Sequence, residues 1–201
     1  MKGSPETFWQ WFVAHQDELF DVDGEQEQRI FDELSEQLTR VRPNLTFEFG
    51  PLKADRRQFV ISADGIPEIF PAVSSLVAAA PKLDRWLITA FRPRRTPISS
   101  LQIGEIRIDP KKVEFSLLTK GSLIAIQLFI PGLNEDDVIR KQIAYIMLDD
   151  ALGEYDVETK VGSIQMLPPE SSSVSGRYPF AELPSLFDQL ASTLTGPALP
   201  N

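Results

Sequence analysis

Cysteine is absent from this chain of 201 residues, which excludes disulfide bonds, thiolate zinc sites and cysteine nucleophiles. Histidine occurs once, as His15, on an apolar helical stripe. An imidazole in such a place is more often a core or half-buried hydrogen-bonded group than a catalyst, because acid–base catalysis needs a positioned partner. The remaining ligand types are carboxylates, so the sequence predicts no structural zinc and no other metal site.

Long apolar runs are also missing. The longest candidate, residues 123–130, has the length of a strand, whereas a membrane-spanning helix needs about 20 apolar residues. Charged and polar residues interrupt the N-terminal segment MKGSPETFWQWF, so it does not have the continuous apolar core of a signal peptide. These features predict a cytoplasmic protein that does not bind a membrane.

The chain has no excess of positive charge. Its 29 acidic residues outnumber its 20 lysines and arginines, which gives a formal net charge of −9. Non-specific binding to nucleic acids or anionic membranes needs a basic face, so we expect neither as a partner. An acidic surface instead favours solubility and a basic protein partner.

Motifs of common catalytic sites are absent as well. The chain contains no G-x-S-x-G, H-E-x-x-H, G-x-x-x-x-G-K or G-x-G-x-x-G. The sequence therefore gives no evidence for a serine hydrolase, a zinc protease or a nucleotide-binding loop. The sequence predicts no cofactor.

The residues that are present follow the pattern of a globular α+β protein, with 42% hydrophobic and 24% charged residues. Apolar residues at helical spacing predict an N-terminal hairpin of two helices, the first starting at Ser4 and Pro5 and the second after a capping box at Asp23 and Gln26. One narrow helix face cannot bury all the aromatic residues near Trp11, so some aromatic surface could remain for a partner.

The rest of the chain shows one order of elements twice: strand, strand, helix, strand. The first set is predicted at residues 45–49, 59–63, 71–80 and 85–91, with the last strand buried on both faces. In the second set, strands at 113–117 and 123–130 precede a helix that is capped by Asn134 and ends at Gly153. Residues 155–161 and 164–167 are then predicted to be strand, bulged at Gly162. A polar loop that ends at Gly176 follows, which we expect to be mobile, and then a short helix near 183–190.

These patterns predict one α+β domain over residues 1–201, built on a mixed, largely antiparallel sheet with an N-terminal helical hairpin and a C-terminal helix. The alternative division is into two lobes, 1–97 and 98–194. Residues 195–201 are predicted to be a frayed tail.

The segment DRWLITAFRPRR, residues 84–95, is the strongest candidate for a binding site. An apolar strand there runs directly into Arg92, Arg94 and Arg95. Guanidinium groups are bidentate donors that suit carboxylates and phosphates, so this strand end predicts a place to hold an anion. We expect Arg94 or Arg95, which lie beyond Pro93, to stay free for such a ligand.

Two acidic sets accompany the arginines: the strand-to-helix pair Asp64 and Glu68, and the helix-end set Asp149, Asp150 and Glu154. Asp64 and Glu68 are candidates for an acid or a base, although Asp64 also suits the shaping of a turn beside Gly65. The second set stands where negative charge opposes the helix dipole, so it needs a compensating cation. We expect at least one of the three arginines to supply it.

Three segments, ISADGIPEIFPAV, APKLDRWLITAFRPR and IMLDDALGEYDVE, carry a family resemblance. Together they resemble a bacterial family of cytosolic proteins of unknown function that share ISA-D-G-x-x-E-x-F, AP-x-x-x-x-W-x-x-x-A-F-x-P-R and LD-x-x-LGE-Y elements, over nearly the whole chain after the first helix. The resemblance implies a bacterial source and a compact α+β fold, and it implies no activity. Some neighbouring families with similar sequence features are linked to toxin immunity.

The sequence therefore predicts a non-enzymatic interaction or regulatory protein whose acidic surface binds a basic partner. In a narrower form of this hypothesis, the protein is an immunity protein. The alternative is an enzyme or small-ligand module that holds an anion through Arg92, Arg94 and Arg95. A deep pocket lined by these arginines and by carboxylates favours the alternative, and a flat acidic face favours the first function.

Overall fold

The computed structural model describes residues 3–22, 27–173 and 176–194. The predicted capping box at Asp23 and Gln26, part of the polar loop before Gly176 and the predicted tail 195–201 lie outside these residues. Six α-helices and three small sheets are present in the described part, which confirms the α+β class. Four of the six strand pairings are antiparallel and two are parallel.

The chain divides into two compact units, Met1–Arg92 and Pro93–Asn201, here called the first and second unit. The division lies close to the 97/98 boundary of the alternative two-lobe prediction. Each unit has its own main sheet, in which two antiparallel strands are followed by helical structure and then by a parallel strand. In the second unit, two consecutive α-helices precede that parallel strand.

The first unit begins with the predicted helical hairpin. Ser4 starts the first helix because its side chain accepts a hydrogen bond from the Thr7 amide while Pro5 occupies the first helical turn. A three-stranded sheet and one more helix follow, with the middle strand antiparallel to the first and parallel to the third. The elements are α1 (Pro5–Phe20), α2 (Glu27–Val41), β1 (Thr46–Lys53), β2 (Arg56–Ser62), α3 (Phe70–Ala78) and β3 (Trp86–Ala90).

An aromatic cluster forms the core of the first unit. Phe12 of α1 stacks on Phe59 of β2 with a centroid separation of 5.0 Å, and it meets Trp86 of β3 edge-on at 5.1 Å. The indole nitrogen of Trp9 donates to the carbonyl of Leu76 over 2.7 Å, which satisfies a buried donor and ties α1 to α3. The helical stripe of α1 is therefore core.

One prediction for this sheet is wrong. Residues 85–91 were expected to be buried on both faces, yet Leu87 is 49% exposed while the neighbouring Trp86 is only 2% exposed. The reason is that successive side chains of a strand point to opposite faces of the sheet: the face with Trp86 packs in the aromatic core, and the face with Leu87 is exposed at that position.

The second unit contains a small hairpin, a four-stranded sheet and three helices. Its main sheet has the order β8-β7-β6-β9, and β7 pairs antiparallel with β6 and parallel with β8, as β2 does with its neighbours in the first unit. The elements are β4 (Leu101–Ile103), β5 (Ile106–Ile108), β6 (Glu114–Lys120), β7 (Leu123–Phe129), α4 (Val138–Leu152), α5 (Glu154–Lys160), β8 (Val161–Leu167), β9 (Tyr178–Pro179) and α6 (Leu183–Thr193).

Two local predictions for the second unit are wrong, and one is confirmed. Asp137, rather than Asn134, caps α4, since its side chain accepts from the Arg140 amide. Residues 155–160 form α5 instead of the predicted strand, because a new helix starts directly at Gly153, where φ is +79°. The predicted bulge at Gly162 is confirmed by the shift in pairing between β7 and β8.

The core of the second unit lies between one face of its sheet and the helices α4 and α6. Phe115 and Ile126 from the sheet belong to one buried cluster with Ile143 and Met147 of α4 and Phe187 of α6. Among the described residues, no helix combines the length and apolar character that crossing a membrane would require.

Candidate functional site

The three predicted arginines do not belong to one unit. Arg92 ends the first unit, whereas Arg94 and Arg95 belong to the second. Each set has carboxylate partners within its own unit.

In the first unit, Arg92 bridges two carboxylates. Its Nε donates to Glu48 over 2.6 Å and its Nη2 donates to Asp64 over 2.7 Å. Asp64 follows β2 and Phe91 follows β3, and both residues have a positive φ, +51° and +62°. Because β2 and β3 are parallel, these two turns leave the same edge of the sheet, and this position brings Asp64 to Arg92.

The structure supports the turn-shaping role of Asp64. Its backbone amide donates to the hydroxyl of the buried Ser62 over 2.9 Å, and its backbone adopts the left-handed conformation that aspartate tolerates better than most residues. Glu68 is exposed in the turn Pro67–Ile69, and its carboxylate has no ion-pair partner in the described part of the chain. Asp64 and Glu68, the two candidates for an acid or a base, share no ion-pair partner in the described residues.

In the second unit, Arg94 is the centre of an ion-pair network. Its guanidinium donates twice to Asp188, both bonds being 2.7 Å, and once to Asp156 over 2.6 Å. Lys160 also contacts Asp156, at 2.7 Å. The hydrogen bonds with Asp188 raise the pKa of Arg94 and lower the pKa of Asp188 below its usual value.

The acidic end of α4 is compensated by the same arginine segment. Arg94 Nε donates to the carbonyl of Leu152, the last residue of the helix, over 2.8 Å. The backbone amide of Arg95 donates to the carbonyl of Asp150 over 2.8 Å, and its guanidinium lies 3.4 Å from the Asp150 carboxylate. A cation at a helix C-terminus stabilises the exposed carbonyls and the dipole. The expected pair between an arginine and the helix-end carboxylates is present.

The other expectation, that Arg94 or Arg95 stays free for a ligand, is wrong, because both guanidiniums contact carboxylates of the second unit. Of the helix-end residues, Glu154 is buried and Asp149 is half-buried. The sequence analysis missed Glu48, Asp156 and Asp188, and no local pattern marks them, since each lies more than 40 positions from its arginine.

His15 has the role expected of a non-catalytic histidine. Its Nδ1 donates to the carbonyl of Trp11 over 2.8 Å, and its ring stacks on the Trp11 indole at a centroid distance of 4.7 Å. In the described ranges, no group of three or more histidine, cysteine, aspartate or glutamate side chains is placed to hold a metal ion.

The pockets of the described part include three that are large enough to admit a small molecule. One, of about 280 Å³, lies in the first unit beside Lys53, Arg56 and Leu87. The two in the second unit measure about 350 Å³, beside Arg107 and Lys112, and about 360 Å³, beside Tyr178 and Leu190. Arg92, Arg94 and Arg95 line none of these three pockets.

The helical hairpin of the first unit carries an acidic surface. Arg29 and Arg40 are the cations of α1 and α2, and both already pair with glutamates, Arg29 with Glu18 and Glu33 and Arg40 with Glu36. In the described residues, the exposed carboxylates of Glu27 and Asp32 have no cationic partner. Asp32 accepts an amide hydrogen bond from Gln28 over 2.8 Å.

Comparisons of the chain with protein-family models, curated proteins and solved structures found no match. The family resemblance therefore stays a prediction.

Proposed function

We propose that the protein is a non-enzymatic interaction or regulatory protein whose acidic helical hairpin binds a basic protein. The observation that carries this proposal is the exposed face of α2, where Glu27 and Asp32 have no cationic partner in the described part of the chain. A toxin with a basic surface is the partner in the narrower, immunity-type version.

The way the arginines are used supports the proposal. Arg92 and Arg94 are partly buried, and each forms ion pairs with two carboxylates of its own unit. They therefore contribute little positive potential to the surface, and the excess of 29 acidic over 20 basic residues remains available to attract a partner. Such attraction mainly raises the association rate and weakens as salt screens it.

The alternative function, an enzyme or small-ligand module built on the arginine cluster, has less support. A guanidinium that already donates to two carboxylates, as Arg94 does, would have to release one of them before it held an external anion. Glu68 is exposed, and in the described residues it makes no hydrogen bond to another candidate residue.

The test is affinity capture with the tagged full-length chain, compared between two triple variants. Glu27→Gln, Asp32→Asn and Glu36→Gln remove three exposed charges from α2, and the matched control removes three exposed charges from the second unit, at Glu135, Asp136 and Glu170. We expect a basic protein to be captured by the native chain and by the control, and to be lost with the α2 variant.

Isothermal titration with the purified partner then measures the effect. We expect the α2 variant to weaken binding by about tenfold or more at low salt, with a smaller difference at high salt, since screened charges contribute less. Equal capture by both variants, with intact circular dichroism spectra, would contradict the proposal.

A further inference from the structure

We infer that the second unit has a binding site for a small anionic molecule, formed by Ser100, Arg107 and Lys112. These residues line a pocket of about 350 Å³ together with Asp109 and Pro131. Sites for small molecules commonly begin at about 300 Å³. The pocket is thus larger than a bare phosphate or carboxylate group requires, and it leaves space for the rest of a small ligand.

The two cations of this pocket differ from the predicted arginines. Arg92, Arg94 and Arg95 all contact carboxylates. Arg107 and Lys112, in contrast, have no hydrogen-bond or ion-pair partner for their side chains anywhere in residues 3–22, 27–173 and 176–194. In a chain of net charge −9, two neighbouring cations without a carboxylate partner are available to an external anion.

Local structure explains why both cations point to the pocket. In β5, Ile108 is buried in the core, so the neighbouring Arg107 faces outward, opposite Gln102 of β4. The short turn Pro110–Lys112 follows at once, and Asp109 caps it by accepting from the Lys111 amide over 3.0 Å. This cap fixes the turn that carries Lys112.

The chemistry of the lining favours a phosphate or carboxylate group. The Arg107 guanidinium provides a planar fork of donors, the Lys112 ammonium is a compact positive charge, and the Ser100 hydroxyl is a further donor. Asp109 is the opposing charge, since its carboxylate also belongs to the lining. The pocket therefore has a net positive charge, and Asp109 limits its affinity for anions.

The experiment is a two-dimensional NMR titration of the full-length chain with inorganic phosphate and, separately, with citrate. We expect saturable shifts of the amide resonances of residues 100–112. Arg107→Gln and Lys112→Met should each raise the dissociation constant by about tenfold, because each removes a charged hydrogen-bond donor.

Two further variants separate a specific site from general charge attraction. Lys111→Met removes a neighbouring exposed lysine that does not line the pocket, and it should change the dissociation constant by less than about twofold, the size expected of a solvent-exposed charge. Asp109→Asn keeps a residue type that caps turns and removes the opposing charge, so it should tighten binding.

Tighter binding of phosphate than of citrate would assign a phosphorylated ligand, and the reverse would assign a polycarboxylate. No saturable shift with either probe would overturn the inference. It would equally be overturned if Lys111→Met weakened binding as much as Lys112→Met, because the attraction would then be non-specific. Variant spectra that match the native spectrum outside residues 100–112 serve as the control for folding.

Discussion

Arg94 and Asp188 form a bidentate ion pair although 94 positions separate them in the chain, with Nη1 and Nη2 each 2.7 Å from a carboxylate oxygen. The same guanidinium donates to Asp156 of α5 and to the last carbonyl of α4, at Leu152. One side chain therefore joins α4, α5 and α6. The apparent ligand-binding arginine of the sequence is a structural connector of the second unit.

This pair predicts how stability depends on pH. The hydrogen bonds from Arg94 hold the pKa of Asp188 below its usual value, so ionised Asp188 stabilises the fold. The contribution is complete above about pH 3.9, where an unfolded aspartate is ionised, and it is lost as the pH falls through the lower value of the folded state. Asp188→Asn should therefore destabilise the protein near neutral pH and lose this effect in acid.

The expected size is modest because the Asp188 side chain is 55% exposed and water screens the pair. We expect a loss of about 0.5–1 kcal/mol at pH 7, measured by urea unfolding followed with far-ultraviolet circular dichroism. Glu170→Gln is the control, since Glu170 is exposed and has no ion-pair partner in the described residues. A loss for Asp188→Asn that is the same at pH 7 and pH 3 would contradict the electrostatic explanation.

Trp86 supplies a test of the first unit. Its indole is 2% exposed and meets Phe12 and Phe20 edge-on, at 5.1 and 5.5 Å. Trp86→Ala should lower the free energy of unfolding by about 3–5 kcal/mol, because it removes a large buried ring and leaves a cavity. Urea unfolding followed by the fluorescence of Trp9 and Trp11 measures this, since both report on the same unit.

The neighbouring residue provides the control for this substitution. Leu87 is 49% exposed on the opposite face of β3, so Leu87→Ala should cost less than about 1 kcal/mol. Similar losses for the two variants would mean that Trp86 does not face the core as described.

Gly162 tests the bulge of the second sheet. A Cβ atom at this position would lie 2.8 Å from the Cβ of Leu123, closer than real side chains approach. Gly162→Ala should therefore destabilise the second unit by about 1–3 kcal/mol, because Leu123 Cβ is held by the backbone of β7 and cannot move aside freely. Thermal unfolding followed by circular dichroism measures the change.

Ser163→Ala is the matched control for the bulge, since Ser163 is the next residue and is exposed. We expect it to change stability by no more than about 0.5 kcal/mol. Unfolding temperatures that fall equally for the two variants would argue against the contact between Gly162 and Leu123.

Most elements could be predicted because their signals are local. Ser4 and Pro5 mark the start of α1, Gly153 marks the end of α4, and Gly162 marks the bulge in β8. Each depends on the conformational preference of one residue or on side-chain spacing within one turn, and the amino-acid sequence contains this information directly.

Predictions failed where the local sequence suited two structures about equally, or where packing in the folded protein decided which residues are buried. Asn134 and Asp137 are both good cap residues, and the structure selects Asp137. The alternation around Tyr155 and Val157 suits a strand, yet one helical turn also buries Val157 in the core. Leu87 is exposed because it lies on the face of β3 opposite the buried Trp86, and the fold decides which face of a sheet is covered.

The sequence by itself determined the α+β class, the repeated order of strands and helix, and the excess of acidic charge that directs the proposed function. Only the tertiary structure decided which cations are neutralised. Arg94 is paired with Asp188 from a distant helix, whereas Arg107 and Lys112 have no carboxylate partner among the described residues. Residue types and spacing specify local conformation, but an ion pair depends on atoms within about 4 Å that the fold brings together from far along the chain.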